Sequence, residues 1–178
     1  MISAMRDPAS GPVAPVPLWQ RMIVGKNPKV TLVRALLLGL GCWLVFRHAL
    51  LPVRVNGISM EPTLRNGSVN LVNRVPYLWR APRRGEIVAI RTTGTSIMYL
   101  KRIIGLPGES VEVQRGQVWI NGQLLDEPYL REAEPWEIGR RTLSPEEYFV
   151  MGDNRTMPRE LHWGGVIKRS RIVGSTLW

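Results

Sequence analysis

Hydrophobic and polar positions divide the chain into one long apolar run followed by many short ones. The long run, residues 30–51, is apolar on all faces and has no amphipathic stripe. As a helix it would measure ~33 Å, which is enough to cross a hydrocarbon core of ~30 Å. Arg34 lies near one end and Arg47 near the other, where long cationic side chains can reach the headgroups. The pattern therefore predicts a single membrane-spanning anchor.

Two alternative interpretations of this run are less favoured. A cleaved signal peptide needs a small-residue cleavage site soon after its apolar run, whereas here Pro-Val-Arg follows. A core helix of a soluble domain would show an amphipathic face. Cations flank both ends of the run about equally, so charge alone does not orient the anchor. Residues 1–29 contain several prolines and small polar residues, and we expect them to form a flexible tail.

After residue 51 the apolar runs are short, rich in β-branched residues and separated by Gly, Pro and Asn, which is typical of strands. Asn121-Gly122 between two such runs is the strongest short signal for a hairpin. We expect residues 52–178 to form a mainly β domain, either a compact barrel or a sandwich. The predicted strands cover 69–72, 86–90, 98–104, 110–113, 118–120, 123–125, 148–151 and 171–173.

Composition narrows the chemistry that this domain can perform. The chain has 178 residues, of which 44% are hydrophobic and 21% charged, so a disordered or fibrous protein is excluded. One cysteine, Cys42, excludes an internal disulfide, and with two histidines there is little basis for a metal site, so we expect no metal and no cofactor. The net charge of +10 is spread without a dense basic block, which favours a membrane-tolerant surface and no nucleic-acid partner.

Lys101 is the most informative ionisable residue. The chain contains 20 Arg and only 4 Lys, yet it keeps a lysine inside an apolar run, directly before Arg102. Arginine stays protonated, whereas the pKa of a desolvated lysine falls and its amine can accept a proton. The alternative is a strand lysine whose amine reaches water.

Ser59 is the candidate for the matching nucleophile. It lies between Gly57 and Pro62, where a strand-like approach must bend, although a serine at a bend is usually only a turn residue. A serine–lysine pair is one known arrangement of nucleophile and general base. Backbone N–H groups near Ser59, with Gly57 permitting close approach, would bind the oxyanion.

Four sequence boxes, in this order, resemble those of type I signal peptidases. They are GISMEPTL at 57–64, RGEIV at 84–88, YLKRIIGLPGE at 99–109 and GDNR at 152–155. The resemblance covers roughly residues 52–178, and the apolar run fits the family's membrane anchor. It implies a single-pass protein of the cytoplasmic (inner) membrane with its β catalytic domain on the extracytoplasmic side. Such an enzyme is a serine endopeptidase that removes signal peptides from exported precursors.

The resemblance also implies roles for individual residues. Ser59 matches the family's nucleophile and Lys101 its general base, with Gly57 supporting the oxyanion site. Arg102 and Asp153 match a charged pair that braces the site, for which the alternative is an ordinary surface ion pair.

Family members bind their substrate as an extended strand, which is a form of β-augmentation. In this chain the strand would lie beside residues 53–58 and 96–100. The residues expected to contact it are Ile58, Met60, Tyr99 and Leu100.

After Arg155 the chain departs from the family's pattern. Many relatives place a serine there, followed by Asp-Ser-Arg, whereas this chain reads TMPRELHW. Pro158 stands where that serine would bond to the lysine, so Thr156 or Ser96 is a candidate replacement. His162 is expected to be a surface or rim residue.

Three functions stay open on this evidence. The first is signal-peptide cleavage at the bilayer. The second is a specialised maturation protease of a conjugative transfer system, which would use the same dyad. The third is a non-catalytic, membrane-anchored homologue that binds peptides without turnover.

Overall fold

The computed structural model describes residues 27–92, 98–130, 132–162 and 164–177. The chain divides into two compact units, with the boundary between Val45 and Phe46.

The helix α1 spans Pro28–Ala49 and contains most of the long apolar run. Asn27 caps its N-terminus, because its Oδ1 accepts a hydrogen bond of 3.1 Å from the Lys29 N–H, and proline is well suited to the first helical position. The stretch Lys29–Ala49 has a mean hydropathy of 1.8 and none of it is buried, so by length and composition it can cross a membrane. The predicted segment 30–51 is thus displaced by two residues, since Leu50 and Leu51 already pair in a strand.

Two antiparallel sheets follow the helix along the chain, which confirms the mainly β class. The strands of the larger sheet are β1 Leu50–Arg54, β2 Val69–Asn73, β3 Ile87–Arg91, β4 Met98–Gly105, β9 Glu147–Met151, β10 Gly165–Lys168 and β11 Ile172–Leu177. Those of the smaller sheet are β5 Ser110–Gln114, β6 Gln117–Ile120, β7 Gln123–Leu124 and β8 Ile138–Thr142. The larger sheet has its seven strands in the order β1-β2-β11-β3-β4-β9-β10, and the smaller has its four in the order β7-β6-β5-β8.

The predicted hairpin at Asn121-Gly122 is confirmed. Both residues have positive φ, 51° and 80°, and they join β6 to β7 as a two-residue turn. Arg115-Gly116 makes the same kind of connection between β5 and β6, with φ of 51° and 77°. Positive φ at both central residues gives the turn a twist that matches the twist of the flanking strands.

The eight predicted strands are all present, with ends shifted by a few residues. The pattern did not predict β1 and β10 of the larger sheet or β8 of the smaller one. β8 is almost wholly exposed and therefore lacks alternation, and β10 has only four residues. β1 contains Pro52, which the sheet tolerates because β1 is an edge strand.

Strand β3, which pairs with the strand that carries Lys101, is covered on both faces. Ile87 and Ala89 of β3 belong to one core cluster, whereas Val88 and Ile90 belong to another. Successive side chains of a strand point to opposite faces, so β3 lies between two layers of core. Lys101 of β4 pairs with Val88 in the register and is only 1% exposed. The fold therefore buries this lysine deeply.

Candidate active site

Ser59 lies in the loop that connects β1 to β2, and buried neighbours hold this loop in place. Met60 and Leu64 are 1% and 4% exposed and belong to the same core cluster. The backbone turns at Gly57, whose φ of 116° favours glycine. The Gly57 N–H donates to Oδ1 of Asn66 at 2.9 Å, which ties the two halves of the loop together. The half-buried Ser59 side chain is thus presented from a fixed backbone.

Lys101 meets Ser59 inside the domain. Its Nζ donates a hydrogen bond of 2.6 Å to Oγ of Ser59. Burial lowers the pKa of Lys101 to about 8, although the negative charge of Asp153 acts in the opposite direction. At mildly alkaline pH the amine is neutral in a large fraction of molecules, and a neutral amine can accept the serine proton.

Arg102 and Asp153 form a bidentate ion pair in the interior and not at the surface. Nε of Arg102 donates to Oδ1 of Asp153 at 2.9 Å, and Nη2 donates to Oδ2 at 2.6 Å. The two residues are 4% and 2% exposed. The Thr63 hydroxyl donates to Oδ2 of Asp153 at 2.6 Å, so the pair also holds the loop that carries Ser59. Removing one member of such a pair would leave a buried charge without its partner.

A bend after β9, here called the 152–154 bend, holds the backbone of Ile58 and Ser59. The Asn154 N–H donates to the carbonyl oxygen of Ser59 at 3.1 Å. The Asn154 side-chain amide donates to the carbonyl oxygen of Ile58, also at 3.1 Å. A Cβ atom on Gly152 would lie 2.2 Å from the Ser59 carbonyl oxygen, so only glycine fits here.

A second buried ion pair lies beside the first and was not predicted. Nη2 of Arg155 donates to Oε1 of Glu127 at 2.7 Å, and its Nε donates to the Gly152 carbonyl oxygen at 2.7 Å. The Tyr129 hydroxyl donates to the same Glu127 oxygen at 2.6 Å, and the Arg102 guanidinium lies 3.9 Å from the centre of the Tyr129 ring. Glu127 and Tyr129 are in an irregular segment, where no sequence pattern indicated that they contact the site.

The residues expected to contact the substrate lie at two different depths. Ile58 is 45% exposed. Tyr99 is partly exposed and lines a cleft of about 330 Å³, together with Met98 and residues of the 51–56 stretch. Met60 and Leu100 are buried in the core cluster. Residues 93–97, which include Ser96, lie outside the described residues.

The stretch after Arg155 differs from the expectation at His162. This residue is buried, at 8% exposure, and does not lie at the rim. The 3-10 turn Arg159–Leu161 brings the chain back, and Nε2 of His162 accepts a hydrogen bond of 3.0 Å from the Gly152 N–H. The Thr156 hydroxyl is exposed and donates to Oδ1 of Asn154 at 2.7 Å.

Comparison with known proteins gives the same family as the sequence boxes. Residues 29–178 match the family described as signal peptidase, peptidase S26. Signal peptidase I of Bacillus amyloliquefaciens is 37% identical over 156 residues, which cover 80% of each protein. A probable signal peptidase I-2 of Synechocystis sp. is 37% identical over 122 residues, or 65% of this chain and 56% of that protein. The chain belongs to the signal peptidase family.

Two further signal peptidases are similar to this chain. Signal peptidase I of Leptolyngbya laminosa is 35% identical over 124 residues, and the matched part is 61% of that protein. The chain thus spans somewhat more than half the length of the Synechocystis and Leptolyngbya proteins. A crystal structure of a signal peptidase I from Enterococcus faecalis is 28% identical, with a TM-score of 0.42, and the match covers 54% of this chain and 97% of that one.

Proposed function

We propose that this protein is a membrane-anchored serine endopeptidase that removes signal peptides from exported precursors. The observation that carries the proposal is the 2.6 Å contact between Nζ of Lys101 and Oγ of Ser59, made by a lysine that is 1% exposed. Burial favours the neutral form of the Lys101 amine, which can act as a base. The contact places this amine where it can take the proton of the Ser59 hydroxyl.

The proposed reaction has two stages. The neutral amine of Lys101 accepts the hydroxyl proton as Oγ of Ser59 attacks the scissile carbonyl carbon. The backbone N–H of Ser59 donates to the developing oxyanion, and Gly57 allows the peptide to approach it. When the C–N bond breaks, the ammonium returns a proton to the leaving amine. The amine of Lys101 then deprotonates a water molecule as its oxygen attacks the acyl carbon. When the ester C–O bond breaks, the ammonium returns this proton to Oγ of Ser59.

The proposed substrate site is the cleft lined by residues 51–54, Asn56, Met98 and Tyr99. β1 is an edge strand of the larger sheet. In the described part of the chain β4 pairs with β3 over 98–102, whereas its pairing with β9 begins only at Arg102. Among the described residues, β9 thus lies beside only the second half of β4. We propose that an extended peptide adds beside β1 and the first half of β4, with Ile58 and Tyr99 contacting its side chains.

The proposed domain organisation follows from the same reasoning. Helix α1 is a single-pass anchor in the cytoplasmic membrane, and the strands from β1 onward form the extracytoplasmic catalytic domain. Residues 1–26 of the expected tail lie outside the described residues. Ser59 and Lys101 are the catalytic residues, and Arg102 and Asp153 position them.

Cleavage of a precursor by the purified full-length chain in detergent tests this function. We expect Ser59→Ala and Lys101→Ala to abolish cleavage after small residues. Lys168→Ala is the matched control, because Lys168 is an exposed lysine in the same domain, and it should cleave normally. The wild-type rate should rise about tenfold per pH unit below about pH 8 and level off above it. Retained cleavage by Ser59→Ala, or peptide binding by wild type without turnover, would overturn the proposal.

A further inference from the structure

We propose that His162 is a positioning residue for the Ser59–Lys101 pair: its neutral imidazole holds the 152–154 bend against the main chain of the nucleophile. This inference rests on the proposed function. Its basis is a set of buried contacts that the sequence boxes do not include, since His162 lies in the stretch where the chain departs from its relatives.

The first observation is the hydrogen bond itself. Nε2 of His162 accepts from the Gly152 N–H at 3.0 Å, and both residues are buried. A nitrogen that accepts a backbone N–H carries a lone pair, so the proton of the neutral ring is assigned to Nδ1. An imidazolium could not accept this bond, and the Gly152 N–H would then be buried without a partner.

The second observation is the position of Gly152 between His162 and Ser59. A Cβ atom on Gly152 would lie 2.6 Å from Nε2 of His162 and 2.2 Å from the carbonyl oxygen of Ser59. The imidazole and the nucleophile's backbone therefore approach the same small space. On its other side, the Gly152 carbonyl accepts from Nε of Arg155 at 2.7 Å. The N–H and the carbonyl oxygen of Gly152 are thus both hydrogen-bonded to side chains.

Hydrogen bonds connect the 152–154 bend to Ser59 and its loop. Two residues beyond Gly152, the Asn154 N–H donates to the Ser59 carbonyl at 3.1 Å, and between them Asp153 accepts from Thr63 of the nucleophile loop. Loss of the His162 bond would release the first residue of the bend. A displacement of Ser59 by even a fraction of an ångström would then weaken its contact with Lys101.

The surroundings keep the ring neutral and in one orientation. The ring packs against Trp136 in a T-shaped geometry, with centroids 4.6 Å apart. Burial, together with the positive charges of Lys101 and Arg155, lowers the pKa of His162 to about 4. His162 therefore stays an acceptor throughout the pH range in which Lys101 loses its proton.

Two variants separate the hydrogen bond from the packing. His162→Phe keeps an aromatic ring against Trp136 but has no acceptor, whereas His162→Gln places an amide oxygen at a similar reach. We expect His162→Phe to lower kcat by about 10- to 100-fold with KM changed by less than about threefold. His162→Gln should keep kcat within about fivefold of wild type. A purely structural role would instead lower the thermal unfolding midpoint without this kcat-against-KM split.

A measurement without substrate tests the contact directly. In the full-length protein labelled with ¹⁵N-histidine, NMR should show Nδ1 protonated and Nε2 unprotonated from about pH 9 down to about pH 5. The Gly152 amide should be protected from hydrogen exchange in wild type and His162→Gln, and lose protection in His162→Phe. If His162→Phe does not fold, the wild-type tautomer and the His162→Gln rate decide.

The outcomes distinguish this inference from the proposed function. A protonated Nε2, or a His162→Phe variant with wild-type kcat, overturns the role of His162 while precursor cleavage by the wild type still stands. Failure of the wild type to cleave any precursor, with Ser59→Ala indistinguishable from it, overturns both.

Discussion

The burial of Lys101 should be measurable as a pH-dependent stability. In the folded protein the pKa of Lys101 is about 8, whereas the ordinary value of 10.5 applies to the unfolded chain. Between these two values the unfolded state binds more protons than the native state, so the free energy of unfolding rises with pH. The stabilisation is complete above the unfolded pKa and is lost as the pH falls to the folded pKa. Lys101→Met removes the titration and keeps a side chain of similar length.

The magnitude follows from the two pKa values. The step from 10.5 to about 8, at about 1.36 kcal/mol per pKa unit, corresponds to about 3.4 kcal/mol. About 2.5 kcal/mol of this should develop between about pH 7 and about pH 10. Relative to Lys101→Met, the wild type should therefore gain about 2.5 kcal/mol of unfolding free energy over that interval.

Urea unfolding in detergent, followed by tryptophan fluorescence at several pH values, measures this difference. Subtracting the curves of wild type and Lys101→Met cancels the titration of Tyr77 and Tyr129, whose pKa values burial raises. Lys168→Met, which replaces an exposed lysine, should give a flat difference over the same range. Parallel curves for wild type and Lys101→Met would refute the reasoning, because they would mean that the amine is as well solvated in the folded protein as in the unfolded chain.

Two further substitutions test the groups around the contact between Ser59 and Lys101. Asp153→Asn leaves a buried guanidinium without its carboxylate and should cost about 3 kcal/mol of stability in urea unfolding. Because the charge of Asp153 raises the pKa of Lys101, the same variant should move the midpoint of the pH–rate profile to lower pH, and an upward shift would contradict the electrostatic account. Gly152→Ala should abolish cleavage and lower the unfolding midpoint, since its Cβ would lie 2.2 Å from the Ser59 carbonyl oxygen. Gly139→Ala, where a Cβ has open space, is the control and should leave both unchanged.

The local sequence pattern was sufficient to predict many of the strands and the helix. A long apolar run predicts a helix such as α1, and Asn121-Gly122 predicts its hairpin, because both depend on neighbouring residues alone. Pattern was insufficient for β8, whose residues are mostly exposed. Such a strand exists because it pairs with β5, and pairing partners far along the chain leave no periodic signal.

In the candidate site, too, some residues could be selected from the sequence and others could not. The types of Ser59 and Lys101, their apolar surroundings and the family's boxes selected these two residues from sequence alone. The sequence did not reveal that His162 accepts from Gly152, or that Glu127 pairs with Arg155. Those contacts join residues 10 and 28 positions apart.

What the sequence determined by itself was which side chains have suitable chemistry: a hydroxyl at a bend, a lysine in an apolar strand and an apolar segment long enough for a bilayer. Only the tertiary structure decided how far burial lowers the pKa of the lysine, and the 2.6 Å contact between its amine and the hydroxyl. The physical reason is that a pKa depends on the water and charge around a group, and in this domain both are set by strands and loops that meet only when the chain folds.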